Sequence, residues 1–191
     1  HLIATSKGKN RIPFTDGYEY LEMDITNAEQ VRKVIEETRP DAIIHTAAMT
    51  NADQCEGDKD WCWTMNVKAT EYLVKASEKH QIFFCYFSTD FVFDGSSGPY
   101  REEDSPSPLS FYGWSKYAGE AVVKRAKCPW SIVRTVLVYG IVSDLSRSNI
   151  ILWVKKYLEA RQNIKVVTDQ FRTPPLAENF AMGFSLVNNK K

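Results

Sequence analysis

Residues 84–95 are F-C-Y-F-S-T-D-F-V-F-D-G, and residues 110–120 are S-F-Y-G-W-S-K-Y-A-G-E. The apolar run over 82–87 is typical of a strand buried on both faces of a parallel sheet, and the hydroxyl pair Ser88 and Thr89 follows it. The second stretch predicts a helix over 111–127. Tyr112 and Lys116 are four residues apart in that helix and therefore share one face.

The same alternation of strand and helix extends to both sides of this stretch. Strands are predicted at 1–5, 18–25, 41–48 and 130–138, and helices at 26–38 and 60–79. Thr26 and Glu29 form a capping-box signal at the start of the first helix, and Pro40 follows its end. Strands that alternate with helices predict an α/β fold, a doubly wound parallel sheet of the Rossmann-like kind.

The regular alternation weakens after residue 140. A helix over 149–160, a short strand over Ile164–Val167 and a last helix are predicted there. We therefore expect a dinucleotide-binding domain over 1–140, followed by the beginning of a smaller substrate-binding lobe over 141–191.

Composition and net charge argue against several classes of function. The formal net charge is zero, which argues against nucleic-acid or membrane-surface binding through bulk electrostatics, and the apolar runs are too short to span a bilayer. The four cysteines contain no C-x-x-C pair and have no nearby histidines. Reduced thiols in a cytoplasmic protein are expected rather than a disulfide or a metal site.

Ligands of open α/β sheets bind beyond the carboxyl ends of the strands. Small residues there would let a flat ligand approach the backbone, although they can equally serve helix packing. The residues at the predicted strand ends are Ser6, Lys7, Asp24, Ile25, Ala47, Ala48, Ser88, Thr89, Asp90, Tyr139 and Gly140.

Tyr112, Lys116 and Thr89 together suit carbonyl chemistry. Tyrosine has a pKa of about 10, so it needs a nearby cation to stabilise its phenolate near neutral pH. Lys116, about one helical turn away, can be that cation, and Thr89 can donate a hydrogen bond to the same substrate oxygen. A Y-x-x-x-K motif alone is common by chance, so the interpretation depends on this context.

Five stretches in this order and spacing resemble the extended short-chain dehydrogenases/reductases, and among them the dTDP-4-dehydrorhamnose reductases. They are H-T-A-A-M-T-N-A-D-Q-C-E at 45–56, M-N-V at 65–67, F-S-T-D-F-V-F-D-G at 87–95, Y-R-E-E-D-S-P-S-P-L-S-F-Y-G-W-S-K-Y-A-G-E at 100–120 and V-R-T-V-L-V-Y-G at 133–140.

The resemblance implies roles for individual residues. Tyr112 would be the general acid, Lys116 would lower its pKa and bind the nicotinamide ribose, and Thr89 would bind the reacting carbonyl. The resemblance also assigns Asn66 to a proton relay, Asp24 and Ile25 to the adenine side, Ala47 and Ala48 to the cofactor cleft, and Asp90 and Phe91 to the substrate. Two of these residues have structural alternatives, since Asn66 can simply buttress a helix and Asp24 can simply open the turn before Thr26.

The expected cofactor is NADPH, with NADH as the alternative. Sites that prefer NAD usually carry an acidic residue at the end of the second strand, whereas this chain has Thr5, Ser6 and Lys7. A hydroxyl and a cation favour a 2′-phosphate. The alternative interpretation is a solvated basic turn.

The chain departs from the family pattern in three places. The chain contains no G-x-x-G-x-x-G, and we expect the first strand and its phosphate-binding turn to lie upstream of His1. Leu137 stands where the family commonly has tryptophan near the sugar. Arg172 stands in D-Q-F-R-T-P, where these reductases often have glycine. Arg172 would contact a sugar-nucleotide phosphate or be an ordinary surface arginine.

The leading hypothesis is an NADPH-dependent reductase of a nucleotide-linked 4-keto-6-deoxy sugar, with hydride transfer to C4. The alternatives are a sugar-nucleotide epimerase or dehydratase of the same superfamily, and a non-catalytic regulatory subunit such as that of methionine adenosyltransferase. The sequence does not give the oligomeric state, and a homodimer is kept as a hypothesis.

Overall fold

The computed structural model describes residues 1–141 and 149–188, with side chains up to residue 185. It contains a π-helical turn over Thr64–Lys68 and a 3₁₀ turn over Asp90–Val92. The strands are β1 (Ile3–Ser6), β2 (Glu19–Glu22), β3 (Ala42–His45), β4 (Phe83–Thr89) and β5 (Trp130–Thr135), and the helices are α1 (Ala28–Thr38), α2 (Ala52–Gly57), α3 (Lys59–Trp63), α4 (Ala69–His80), α5 (Phe111–Lys124), α6 (Ile150–Glu159) and α7 (Ala177–Asn188).

The strands confirm the predicted α/β class. β1 pairs with β2 in parallel, with Ile3 opposite Glu19, and β3 pairs with β4 in parallel, with Ala42 opposite Phe83. β5 lies on the other side of β4. Among the described residues the strands form a two-stranded and a three-stranded sheet rather than the single sheet expected, because no strand pairing joins β1 to β3.

β4 is the central strand of the larger sheet and lies in the main core. Phe84, Cys85 and Tyr86 are each 0% exposed, so both faces of the strand are covered, as its continuous apolar run predicted. Val31 and Ile35 of α1 contribute to the same core. This packing fixes the strand whose end carries Ser88 and Thr89.

Helix α1 begins one residue later than its capping-box signal predicted. The N-cap is Asn27, whose side chain accepts hydrogen bonds from the backbone N–H groups of Glu29 and Gln30, both at 3.1 Å. Thr26 instead donates its backbone N–H and its hydroxyl to the Asp24 carboxylate, at 2.9 and 2.7 Å. Because Asp24 engages Thr26, the adjacent Asn27 caps the helix.

Two further predictions need correction. The helix expected over 60–79 consists of α3, the π-helical turn and α4. The strand expected over Ile164–Val167 is wrong, since these residues form no strand and Val166 and Val167 are 57% and 62% exposed. Among the described residues after β5, the strand-like pairing is one parallel bridge between Tyr139 and Leu176.

The chain divides into two compact units. One comprises residues 1–10 and 15–134, and the other comprises residues 11–14 and the chain from residue 135 onward. All four cysteines are free and buried. Among residues 1–141 and 149–188, no helix combines the length and the apolar character needed to cross a bilayer.

Candidate functional site

Helix α5 carries Tyr112 and Lys116, which are only 8% and 4% exposed. Its N-cap is Ser110, whose hydroxyl accepts the N–H of Gly113 at 3.1 Å. Gly113 allows close packing, since a Cβ there would lie 2.9 Å from the Cβ of Pro108 and would also clash with the Phe91 carbonyl oxygen. The first turn of α5 is therefore held directly against the segment that follows β4.

The end of β4 brings Thr89 and Phe91 to Tyr112. Thr89 is 6% exposed, accepts the backbone N–H of Phe91 at 3.2 Å and donates to the Asp90 carboxylate at 3.1 Å. The Phe91 ring packs edge-on against the Tyr112 ring, with centroids 5.5 Å apart. Three residues predicted on the substrate side thus surround the predicted acid.

The pKa of Tyr112 moves in the opposite direction from the one the resemblance implied. Burial raises the pKa of this phenol, and hydrogen bonding with Thr89 offsets only part of the rise. The nearby Asp90 carboxylate raises the pKa further. Tyr112 is therefore a neutral phenol at neutral pH in this structure, which is the protonated form that a general acid requires.

Lys116 carries a buried amine whose pKa is close to neutral pH. Burial lowers the pKa of its side chain to about 7, and the nearby charge of Glu120 opposes that shift. The Nζ atom lies 4.1 Å from the centroid of the Tyr86 ring. A group with such a pKa can change its charge during a reaction near pH 7.

Asn66 is 1% exposed and lies in the π-helical turn. Its amide nitrogen donates to the Ser115 hydroxyl at 2.8 Å and to the Met49 carbonyl at 3.0 Å, and its amide oxygen accepts the Met49 N–H at 2.8 Å. These contacts tie the segment after β3 to the residue beside Lys116. They support the buttressing role considered for Asn66, and a relay role stays a prediction.

Ala47 and Ala48 lie in the segment between β3 and Met49. Ala47 is exposed and Ala48 is half-buried. The Asn66 amide holds the backbone of Met49 at the end of this segment. The two alanines therefore lie between the carboxyl end of β3 and an anchored residue.

The predicted adenine-side residues lie at the ends of β1 and β2. Lys7 forms an ion pair with Asp24 at 2.8 Å, and hydrogen bonding to Lys7 lowers the pKa of the Asp24 carboxyl. The Ser6 hydroxyl lies 2.8 Å from the Tyr20 hydroxyl. Ile25 packs partly against the main core. Ser6, Lys7 and Asp24 are thus together at one edge, and the side chain of Lys7 is largely exposed to solvent.

Leu137 and Arg172 belong to the second compact unit. Leu137, two residues after β5, is 44% exposed, and Arg172 is exposed in the segment that precedes α7. Their predicted contacts with a sugar nucleotide stay predictions.

A buried ion pair beside the site was missed from the sequence. Glu120 is 0% exposed and accepts hydrogen bonds from Nε and Nη2 of Arg134, at 2.8 and 2.7 Å, and from the Ser88 hydroxyl at 2.7 Å. Burial raises the pKa of Glu120, but the bonds from Arg134 and Ser88 outweigh it and lower the pKa overall. The available signal was an arginine inside the predicted strand over 130–138, since a buried charge requires a partner.

Comparison with known proteins gives a family match over nearly the whole chain. Residues 2–191 match the family model described as RmlD substrate binding domain. A dTDP-4-dehydrorhamnose reductase of Aggregatibacter actinomycetemcomitans is 33% identical over 164 residues, which are 85% of this chain and 54% of that protein. The chain thus spans about half the length of the curated relatives it matches.

Two further matches bear on function. Methionine adenosyltransferase 2 subunit beta of Xenopus tropicalis is 33% identical over 164 residues, covering 86% of this chain and 48% of that protein. The crystal structure of a dTDP-4-dehydrorhamnose reductase from Bacillus anthracis in complex with NADP superposes with a TM-score of 0.82 at 34% identity, covering 89% of this chain and 61% of that chain.

Proposed function

Since the chain belongs to the RmlD substrate binding domain family, we propose that it acts as an NADPH-dependent reductase of a nucleotide-linked 4-keto-6-deoxy sugar, as dTDP-4-dehydrorhamnose reductases do. The observation that carries the proposal is the buried grouping of Thr89, Tyr112 and Lys116 at the carboxyl end of β4 and the first turns of α5. A buried neutral phenol beside a hydroxyl is a suitable proton donor for a carbonyl oxygen.

In the proposed reaction, Tyr112 donates its phenol proton to the C4 carbonyl oxygen as that carbon is reduced. Thr89 donates a hydrogen bond to the same oxygen, exchanging its present bond to the Asp90 carboxylate at 3.1 Å. Once Tyr112 has lost its proton, a negative charge stands on the helix face that carries Lys116 and favours the ammonium form. Bound nicotinamide supplies the hydride.

The residues at the ends of β1 and β2 are suited to binding the 2′-phosphate of NADPH. The Lys7 side chain is 69% exposed and its ammonium is held toward this edge by Asp24, so that it can bind an incoming 2′-phosphate. The Asp24 carboxylate can in turn accept hydrogen bonds from a ribose hydroxyl. The NADP bound by the Bacillus anthracis relative favours NADPH over NADH.

A reductase assay on the full-length protein tests the function. NADPH and dTDP-4-keto-L-rhamnose are supplied, and loss of NADPH absorbance is followed together with formation of the 4-hydroxy sugar. Tyr112→Phe is expected to lower kcat by about 100-fold or more, because it removes the donated proton. Tyr72→Phe, a partly buried tyrosine of α4, is the matched control. Turnover of Tyr112→Phe within a few-fold of wild type would contradict the mechanism.

Two other functions are distinguished by the same assay. An epimerase or dehydratase recycles its nicotinamide and gives a changed sugar without net consumption of NADPH. The adenosyltransferase beta subunit is as similar to this chain as the reductase relative, at 33% identity each, and a regulatory subunit would show no turnover and would co-purify with a larger synthetase.

We also propose that the protein forms a homodimer and that it is located in the cytoplasm. Trp61, Trp63 and Trp114 are 42%, 39% and 53% exposed on α3 and α5, which is aromatic surface suited to an interface. The four free thiols suit a reducing compartment. Sedimentation equilibrium of the wild type and of Trp114→Glu tests the dimer, which the substituted charge is expected to dissociate.

A further inference from the structure

Tyr86 lies directly beneath the amine of the candidate site. Its side chain is 0% exposed in the middle of β4, and the ring centroid lies 4.1 Å from Nζ of Lys116. Its hydroxyl is 3.5 Å from the carbonyl oxygen of Lys116. An ammonium within about 6 Å of an aromatic face is attracted by the ring quadrupole, and most strongly where water is excluded.

The other titratable groups around Lys116 are neutral or are engaged by other partners, so the contact with the Tyr86 ring can influence the charge of Lys116. On α5, Glu120 is engaged by Arg134 and Ser88, and Tyr112 is a neutral phenol. On β3, burial and the charge of Lys116 lower the pKa of His45 to about 3, so that this imidazole is neutral at pH 7. On α3, the Cys62 thiol is within hydrogen-bonding distance of the Ser115 hydroxyl at 3.4 Å.

Gly119 sets the distance between α5 and the Tyr86 ring. A Cβ at this position would lie 2.8 Å from Cζ of Tyr86 and 3.1 Å from the carbonyl oxygen of Asn66, and would clash with the Tyr86 hydroxyl. The ring is fully buried and cannot simply rotate into solvent. The absence of a side chain at Gly119 is therefore what lets the helix lie close enough for Lys116 to sit over the ring.

We propose that Tyr86 is a positioning residue whose ring face holds the Lys116 ammonium on the side of α5 that carries Tyr112. The contact itself is independent of the reaction, and its importance for turnover rests on the proposed function. The π face, and not the hydroxyl, performs this role. Tyr86→Phe therefore preserves it and Tyr86→Leu removes it.

Titration of Lys116 tests the proposal without substrate or cofactor. The full-length protein is labelled with ¹³C-lysine, the Lys116 signal is assigned from a Lys116→Arg spectrum, and its pKa is read from the pH dependence of the Cε shift. Tyr86→Leu is expected to lower the pKa of Lys116 by about one pH unit, because a desolvated cation–π contact favours the charged form. Tyr86→Phe is expected to leave it within about 0.3 of wild type.

Three outcomes would overturn the proposal: an unchanged pKa in Tyr86→Leu, a raised pKa because water enters the space, or an equal fall in Tyr86→Phe. If Tyr86→Leu does not fold, Tyr86→Met replaces the ring with a long, adaptable apolar side chain and is expected to lower the same pKa. In the reductase assay, kcat at pH 7.5 should fall about eightfold for Tyr86→Leu, because a one-unit fall from a pKa of about 7 lowers the charged fraction of Lys116 from about 24% to about 3%. For Tyr86→Phe it should fall less than twofold, with KM little changed in both variants. A protein without turnover refutes the proposed function but leaves the Lys116 titration valid.

Discussion

Glu120→Gln probes the interaction that holds the ends of β4 and β5 against α5. The carboxylate receives two hydrogen bonds from Arg134 and one from Ser88, all between 2.7 and 2.8 Å, and Lys124 lies 3.5 Å away. Glutamine keeps the size and one acceptor but turns an N–H₂ group toward one of these donors. The variant therefore leaves a guanidinium without its counter-charge and leaves a hydrogen bond unmade.

The size of the effect follows from burial. Removing one partner of a buried ion pair costs about 3–5 kcal/mol. The Glu120 side chain is 0% exposed, whereas 18% of the Arg134 side chain is exposed, so the guanidinium keeps some contact with water. We expect the free energy of unfolding to fall by about 3 kcal/mol, which lowers Tm by roughly 6–12 °C in a chain of this size.

Urea denaturation at pH 7 measures this loss, and Glu37→Gln is the matched control. Glu37 pairs with Lys33 at 3.9 Å on the surface of α1, so its loss should cost less than about 0.5 kcal/mol. Because pairing lowers the pKa of Glu120 below its ordinary 4.5, the stabilisation is present above pH 4.5 and is lost as the pH falls through the lower folded-state pKa. A Glu120→Gln loss no larger than that of the control would refute the reasoning.

Three further measurements follow from the site. As the pH rises through about 7, kcat/KM of the reductase reaction should fall, because the Lys116 amine with a pKa of about 7 loses its charge; a flat profile from pH 6 to 9 would contradict this. Lys7→Met should weaken NADPH binding about tenfold and NADH binding little, measured by fluorescence titration with Lys9→Met as control, since a charge-assisted contact contributes about 1.5–3 kcal/mol; equal weakening of both cofactors would exclude a 2′-phosphate contact. Gly113→Ala should lower the midpoint of thermal unfolding because its Cβ meets Pro108 and the Phe91 carbonyl, whereas Gly183→Ala, which meets no atom within 4 Å, should not.

Local patterns predicted the elements that carry the site. The continuous apolar run before Ser88 gave β4, and the four-residue spacing of Tyr112 and Lys116 placed both on one face of α5. These features depend on neighbours in the chain, so the sequence contains what is needed to find them. The α/β alternation likewise predicted that the strand ends would collect at one edge.

Contacts between distant residues were not accessible in the same way. The pairing of Glu120 with Arg134 depends on how α5 packs beside β5, and the pKa of Tyr112 depends on burial that no local pattern reports. Helix α1 shows the same limit on a smaller scale: the capping-box signal indicated Thr26, but the Asp24 carboxylate engages Thr26 and Asn27 caps the helix. The strand predicted over Ile164–Val167 is wrong, since no strand in the described part of the chain pairs with these residues.

The π-helical turn over Thr64–Lys68 determines how this part of the chain responds to a change in length. A π-turn holds one residue more than an α-turn. Because the five-residue π-turn and four residues of α-helix turn through nearly the same angle, deleting one residue from it would restore regular α-helix and leave α3 and α4 close to their present orientation. The deletion would instead change the side-chain directions within the turn, and with them the hydrogen bonds of Asn66 to Met49 and Ser115. A deletion within α4, by contrast, would rotate the residues before it by about 100° relative to those after it, so the turn should tolerate a one-residue deletion better than the regular helix that follows it.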